Sequence, residues 1–264
     1  MATVFTHQAE PGAVDYQVLS ESMQGKIFES LIEKIDIKEG FKIIDIGCGT
    51  GNNSFKLSKI VGDEGMVVAI DPIKERIDKA KEIYGSSSTN LEFAEGGASD
   101  CYKFGMDFDL AVSSNVLHFF PEQEREEAFK GILKCLKPNA LFVFCTAAST
   151  NHNMAFLLKK ISCNEDFLRN YHPTPKLELE QLLSEYGFKD VALKQTEINL
   201  TMPTLDIYLR WIASSLHVQS YTETLTKLRE FCNNSSEEDK TFLYDNKGQV
   251  VYKHRDYLFG SCRK

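Results

Sequence analysis

Five short apolar runs mark the first half of the chain: KIIDI (42–46), MVVAI (66–70), LEFA (91–94), FDLAVSS (108–114) and ALFVFCT (140–146). They are nearly continuous rather than alternating, as expected of strands covered on both faces. Polar stretches with helical spacing lie between them. Ile27, Phe28, Leu31, Ile32 and Ile35 form one apolar stripe. Residues 72–85 open with Pro72 and close with Gly85, the asymmetry of helix ends. Residues 121–140 begin with acids, gather lysines toward the end and meet Pro138 just beyond, which suits a helix dipole. Strand and helix in alternation predict a parallel sheet with helices on both faces.

The second half is less regular. Residues 175–188 read as a helix, with Thr174 as cap and Gly187 at the end. Residues 204–216 read as another, with Leu205, Tyr208, Leu209 and Ile212 on one side. Residues 190–200 and 249–263 hold strand-like stretches that can pair antiparallel, and 233–240 is a polar loop or helix start. The expected fold is therefore α/β: a seven-stranded, mostly parallel sheet with an antiparallel last strand. No linker divides the chain, so 1–264 is expected to be one domain.

Composition narrows the partners. Of 264 residues 42% are apolar, enough for a sizeable core. The net charge of -8 argues against a nucleic-acid partner. Seven cysteines, widely spaced and without C-x-x-C, predict reduced thiols and neither a disulfide framework nor a zinc site. No metal-ligand spacing occurs among the histidines. The start of the chain lacks a signal-peptide pattern and no run of 18 apolar residues exists, so a cytoplasmic protein without membrane insertion is expected.

The chemistry concentrates in IIDIGCGTGNNS (43–54), where Gly47, Gly49 and Gly51 follow the first apolar run. A strand that ends in glycines and opens a helix makes a ligand site at the carboxyl end of a parallel sheet. A dinucleotide fingerprint, G-x-G-x-x-G, wants its third glycine where Asn52 stands, which disfavours an NAD-dependent oxidoreductase. Asp71 ends the second run, twenty residues after Gly51. A carboxylate there can accept from both hydroxyls of a ribose. Together these features describe a nucleoside site.

IIDIGCGTGNNS with VVAIDPIKERI resembles the class I S-adenosylmethionine-dependent methyltransferases, whose first motif is an acid, any residue and G-x-G-x-G, and whose second is an acid at the tip of strand two. The resemblance covers about 42–146. It implies S-adenosylmethionine as cofactor, a Rossmann-like methyltransferase sheet, and a helical cap over the acceptor from segments 1–30, 150–175 and 201–218. It implies that Asp45 holds the methionine amino group or orders the loop, and that Gly47, Gly49 and Gly51 line the methionine and ribose. Asp71 would bind the ribose hydroxyls, Ile73 would lie against the adenine, and Ser114 and Asn115 would face the methionine. The family often carries an acid after strand three; here that place is Gly97, which leaves the adenine contact to Ala98 and Ser99.

Methyl transfer from a sulfonium needs alignment and exclusion of water, and orientation alone can supply about 7–11 kcal/mol. A base is needed only where the acceptor carries a proton. His118, after strand four, is placed to orient an acceptor oxygen or take a proton. The segment 15–26 is similar to the start of the juvenile hormone acid and trans-aconitate methyltransferases, which implies acceptor roles for Tyr16 and Gln24 and a carboxylate substrate. Those enzymes carry tryptophan where this chain has Phe119. The C-terminal third also resembles the histamine-type small-amine methyltransferases, in which Trp211 and Tyr208 would wall a cationic amine. His152, Tyr171, His172 and His217 lie in segments expected to cap the pocket. A partner module without catalysis is a third reading, and the intact motifs argue against it. A small molecule is the expected partner, with the chain a monomer or homodimer.

Overall fold

The computed structural model describes residues 24–161, 170–215 and 221–264. Seven strands form one sheet in the order β3-β2-β1-β4-β5-β7-β6. They are β1 (Lys42–Ile46), β2 (Met66–Asp71), β3 (Leu91–Glu95), β4 (Phe108–Ser114), β5 (Leu136–Ala147), β6 (Lys189–Thr201) and β7 (Val251–Arg263). The first five pair in parallel, and β7 runs antiparallel to both β5 and β6. Chain order reverses between β1 and β4, so the crevice above those two strands is the switch point where such sheets bind ligands.

The alternation of each strand sorts its residues onto two faces. Ile44, Ile46, Val68 and Ile70 pack against α4 (Arg125–Cys135) on one side. Ile43, Val67 and Ala69 pack on the other against α1 (24–32), α2 (Asn52–Val61) and α3 (Lys74–Tyr84). The Ile27, Phe28 and Leu31 stripe of α1 is buried there, as its spacing predicts. A third apolar cluster lies toward the carboxyl ends of the strands, built from α5 (Asn153–Lys160), α7 (Leu205–Ser215) and α8 (Tyr221–Asn233). Pairing of β5 with β7 ends at Ala147 and Tyr257, while β6 and β7 stay paired to Thr201 and Val251. The two strands thus run on as a ribbon, and the third cluster includes the ribbon residues Val250 and Tyr252.

Four details differ from the sequence pattern. The helix in 121–140 ends at Cys135, and β5 starts at once, because Leu136 is drawn into the core and pairs with Phe108. Pro138 falls in the gap before the ladder resumes at Leu110 and Leu141, where a missing N–H costs nothing. The helix α6 (Lys176–Glu185) is preceded by Pro175 itself, with no side-chain cap from Thr174. The helices α5 and α8 were not evident from periodicity, whereas Ser236 starts the short α9 (Glu237–Lys240) by accepting from the Asp239 N–H.

Candidate active site

The three motif glycines all adopt positive φ: 77° at Gly47, 58° at Gly49 and 87° at Gly51. The loop they form is tied to the neighbouring strand, since the N–H groups of Gly47 and Cys48 both donate to the Ile70 carbonyl. The missing side chains serve the protein's own packing as well. A Cβ at Gly47 would sit 2.2 Å from Val116 Cγ2, and one at Gly51 would sit 2.6 Å from Phe93. So two of the glycines admit side chains from elsewhere in the sheet, Phe93 from the middle of β3 and Val116 from the loop after β4.

Asp71 lies at the base of that crevice, 2% exposed. Its Oδ2 accepts from the Gly49 N–H and its Oδ1 from the Ile73 N–H, both at 3.0 Å. Arg76 Nη1 stands 3.9 Å from Oδ2. A carboxylate offers about four acceptor sites, so both oxygens retain a lone pair for a ligand. Asp45 is buried on β1 and accepts from the Ser54 hydroxyl at 2.6 Å. Burial raises its pKa to about 6, opposed by the Ser54 hydrogen bond and aided by the charge of Asp71. A cation beside Asp45 would reverse that shift. Burial and the two carboxylates push the Cys48 thiol well up, away from a reactive thiolate.

The far wall comes from β3. Gly97 has open space where a Cβ would stand, and Ala98 and Ser99 begin the turn of 3-10 helix after it. Gly131 of α4 sits against that turn, and a Cβ there would meet the Ala98 and Ser99 carbonyls at 2.4 and 2.7 Å. Periodicity gave no hint of this contact. Ile73 is buried at the head of α3.

At the tip of β4, Asn115 adopts φ 62°. Its Nδ2 donates to Ser114 Oγ, and its Oδ1 accepts from the Tyr257 hydroxyl. His118 follows, buried in a short 3-10 turn. The Ala147 N–H donates to His118 Nδ1 at 3.3 Å, and Thr146 Oγ1 lies 3.0 Å from the same atom. Burial, with His254 nearby, lowers the His118 pKa to about 3. The neutral ring therefore carries its proton on Nε2. Behind it, the His172 N–H donates to the His118 carbonyl at 2.6 Å, and Arg125 Nη2 donates to the His172 carbonyl at 3.0 Å. Arg125 also pairs with Glu178 at 3.3 Å.

The remaining candidates scatter. Phe119 is exposed, its ring 4.4 Å from that of His118. Gln24 is half-buried in α1, next to Gly25, whose Cβ position is 3.5 Å from Lys56 Nζ of α2. Tyr16 and His217 lie outside the described residues. Trp211 and Tyr208 are buried in the third apolar cluster, where the Tyr208 hydroxyl donates to Asn153 Oδ1 at 2.7 Å. They pack the interior of that cluster, which leaves them unsuited to wall a cation. Ser54, Val116, Phe93, Gly131, His254 and Tyr257 are contributors that sequence reasoning missed. Only Ser54 had a local signal, standing within the glycine motif. Among the described residues no cluster of metal-ligating side chains occurs, and no helix is long and apolar enough to cross a membrane.

Comparison with known proteins agrees with this geometry. Residues 43–139 match a methyltransferase-domain family. The chain is 26% identical over 223 residues to the erythromycin 3''-O-methyltransferase of Saccharopolyspora erythraea, covering 79% of this chain and 69% of that protein. A candidate methyltransferase structure from Bacillus halodurans matches with a TM-score of 0.62 at 17% identity, covering 91% of this chain and 99% of that one. A structure of Haemonchus contortus phosphoethanolamine N-methyltransferase 2 with S-adenosyl-L-methionine matches with a TM-score of 0.59 at 14% identity, covering 96% of this chain and 56% of that one.

Proposed function

We propose that this chain, an S-adenosylmethionine-dependent methyltransferase with the class I fold, methylates a carboxylate oxygen of a small organic acid. The observation that carries the acceptor is the protonation pattern of His118. Its Nδ1 accepts a backbone N–H, so the ring offers an Nε2 donor and has no free basic nitrogen. Such a group orients an anionic oxygen and is poorly suited to remove a proton. A carboxylate needs no base, whereas a phenol or an ammonium does. The likeness of segment 15–26 to the juvenile hormone acid and trans-aconitate enzymes supports the same acceptor.

The site fits the cofactor. Asp71 keeps acceptor capacity for two ribose hydroxyls, and Gly97 leaves open space on the side expected to take the adenine. Asp45 would hold the amino group, Ile73, Ala98 and Ser99 the adenine, and Ser114 and Asn115 the methionine end. Gly47, Gly49 and Gly51 would present their backbone to it. When bound, S-adenosylmethionine supplies a methyl group on a positively charged sulfur. Around it, His118 and Gln24 would position the acceptor, Phe119 would shield the mouth from water, and the segments 1–30, 150–175 and 201–218 would form the cap. The relative that acts at the 3'' oxygen of erythromycin supports a small-molecule acceptor, though at a different kind of oxygen.

Methyl transfer from labelled cofactor to matched acids, phenols and amines tests this. Acids are expected to be methylated at a rate that does not rise from pH 6.5 to 8.5, and His118→Gln, which keeps a donor, is expected to retain more activity than His118→Phe. Preference for phenols or amines, with a rate rising with pH, would contradict it.

A further inference from the structure

Five rings form a collar beneath the His118 turn. Ring centroids are 4.9 Å apart for His118 and Tyr171, 5.5 Å for Tyr171 and His152, 4.8 Å for His152 and His254, and 5.4 Å for His254 and Tyr257. The Tyr257 hydroxyl then donates to Asn115, three residues before His118, so the series returns to the loop where it began. Most polar groups of the collar have protein partners. His118 Nδ1 faces Ala147 and Thr146, His152 Nδ1 accepts from the Ala155 N–H, and the Tyr171 hydroxyl donates to the Ser149 carbonyl.

His254 differs. It is 1% exposed, and neither ring nitrogen has a hydrogen-bond partner among the described residues. Its backbone is held on both sides, paired with Ile198 and bridged to His152. The ring is therefore fixed in a place where one N–H and one acceptor nitrogen go unused. A buried polar group left unmatched destabilises the folded chain. Native proteins retain few of them, and those retained call for a ligand, a water or a catalytic role.

We infer that His254 is a specificity-determining residue of the acceptor site, where it hydrogen-bonds a hydroxyl borne by the small acid at a distance from its carboxylate; this rests on the carboxylate reading above. A hydroxyl donates and accepts, so it matches either nitrogen of the ring. An acid lacking that hydroxyl leaves the imidazole dry and loses the difference, as sites built around a buried polar group do.

The test compares kcat/KM for 4-hydroxyphenylacetate against phenylacetate and for 8-hydroxyoctanoate against octanoate, in the wild type, His254→Phe and His254→Asn. Expected are a wild-type preference of at least tenfold for one hydroxy acid over its parent, loss of that preference to within twofold in His254→Phe, and partial recovery in His254→Asn. Binding of S-adenosylhomocysteine by calorimetry is expected to be unchanged in all three. The ligand-free melting temperature of His254→Phe is expected to hold or rise, because the substitution removes an unmatched polar group. A fall of more than about 5 °C, which for a chain of this size is on the order of 2 kcal/mol, would make His254 a structural residue or one satisfied by buried water, and overturn the inference. So would a preference that is absent in the wild type or persists in His254→Phe. Methylation of no acid overturns the carboxylate reading and this inference together; equal methylation of both members of each pair overturns this inference alone.

Discussion

The two halves of the crevice treat their polar groups in opposite ways. On the cofactor side, Asp71 and Asp45 already hold hydrogen bonds from Gly49, Ile73 and Ser54. That side is aligned by the fold before anything binds. On the proposed acceptor side, His118, His152 and His254 are buried and kept neutral, and neither ring nitrogen of His254 has a hydrogen-bond partner among the described residues. The contrast teaches where each half stores its specificity. On the proposed reading, the cofactor half would recognise a charged, hydroxyl-rich ligand with a preset frame, and the acceptor half would carry an energetic deficit that the right substrate removes.

Acid should break this contrast first and with the largest effect. The folded pKa values of the three histidines lie below the ordinary value of 6.5, to about 3 for His118 and about 4 for His254, with burial the main cause. Above pH 6.5 both folded and unfolded chains are neutral at these rings. As pH falls below that value the unfolded chain takes up protons that the folded one refuses, so stability is lost down to the folded pKa values. Each histidine contributes up to about 1.4 kcal/mol per pH unit. Urea midpoints should fall steeply between pH 6.5 and 5. Trp211, the single tryptophan, sits in the third apolar cluster and reports that region by fluorescence. A midpoint that is flat over this range would remove the basis for a neutral histidine collar.

Gly47→Ala strikes the other half. It combines a left-handed φ of 77° with a Cβ 2.2 Å from Val116. The left-handed backbone costs about 1–2 kcal/mol and overpacking about 1–3 kcal/mol more, read as a lower urea midpoint at unchanged m-value. A variant as stable as the parent would show that Val116 moves freely and does not brace the loop.

Asp71→Asn sharpens the comparison by removing charge at constant shape. Each charge-assisted hydrogen bond is worth about 1.5–3 kcal/mol, so affinity for S-adenosylhomocysteine should drop by about 100-fold in calorimetry. Unchanged affinity would take the ribose away from Asp71. The smallest effect is expected from Gln24→Ala: a several-fold rise in acceptor KM with cofactor affinity kept. Equal losses of both would move Gln24 to a packing role.

Much of the candidate cofactor site was legible in the sequence because its parts are local. Strand, glycines and the helix start fall within twelve residues, and Asp71 ends the next strand over. What escaped notice was the reason for two of the glycines, since Val116 and Phe93 reach them across the sheet. On the proposed acceptor side the sequence named His118, His152 and Tyr171 one by one, but not that they meet His254 and Tyr257, for the same physical cause. His118, Tyr171, His152, His254 and Tyr257 come from separate parts of the chain; pairing of β7 with β5 brings in Tyr257, and a bridge to His152 brings in His254. No spacing rule links them. Trp211 and Tyr208 look like a binding wall in one helix, yet the third apolar cluster claims their rings.

The most direct test of the whole account is a crystal structure of the protein grown with S-adenosylhomocysteine. The account predicts both ribose hydroxyls on the Asp71 carboxylate, the amino group at Asp45, and the sulfur facing the opening between Asn115 and His118. A nucleoside bound elsewhere, or bound with Asp71 untouched and the sulfur turned away from His118, would contradict it.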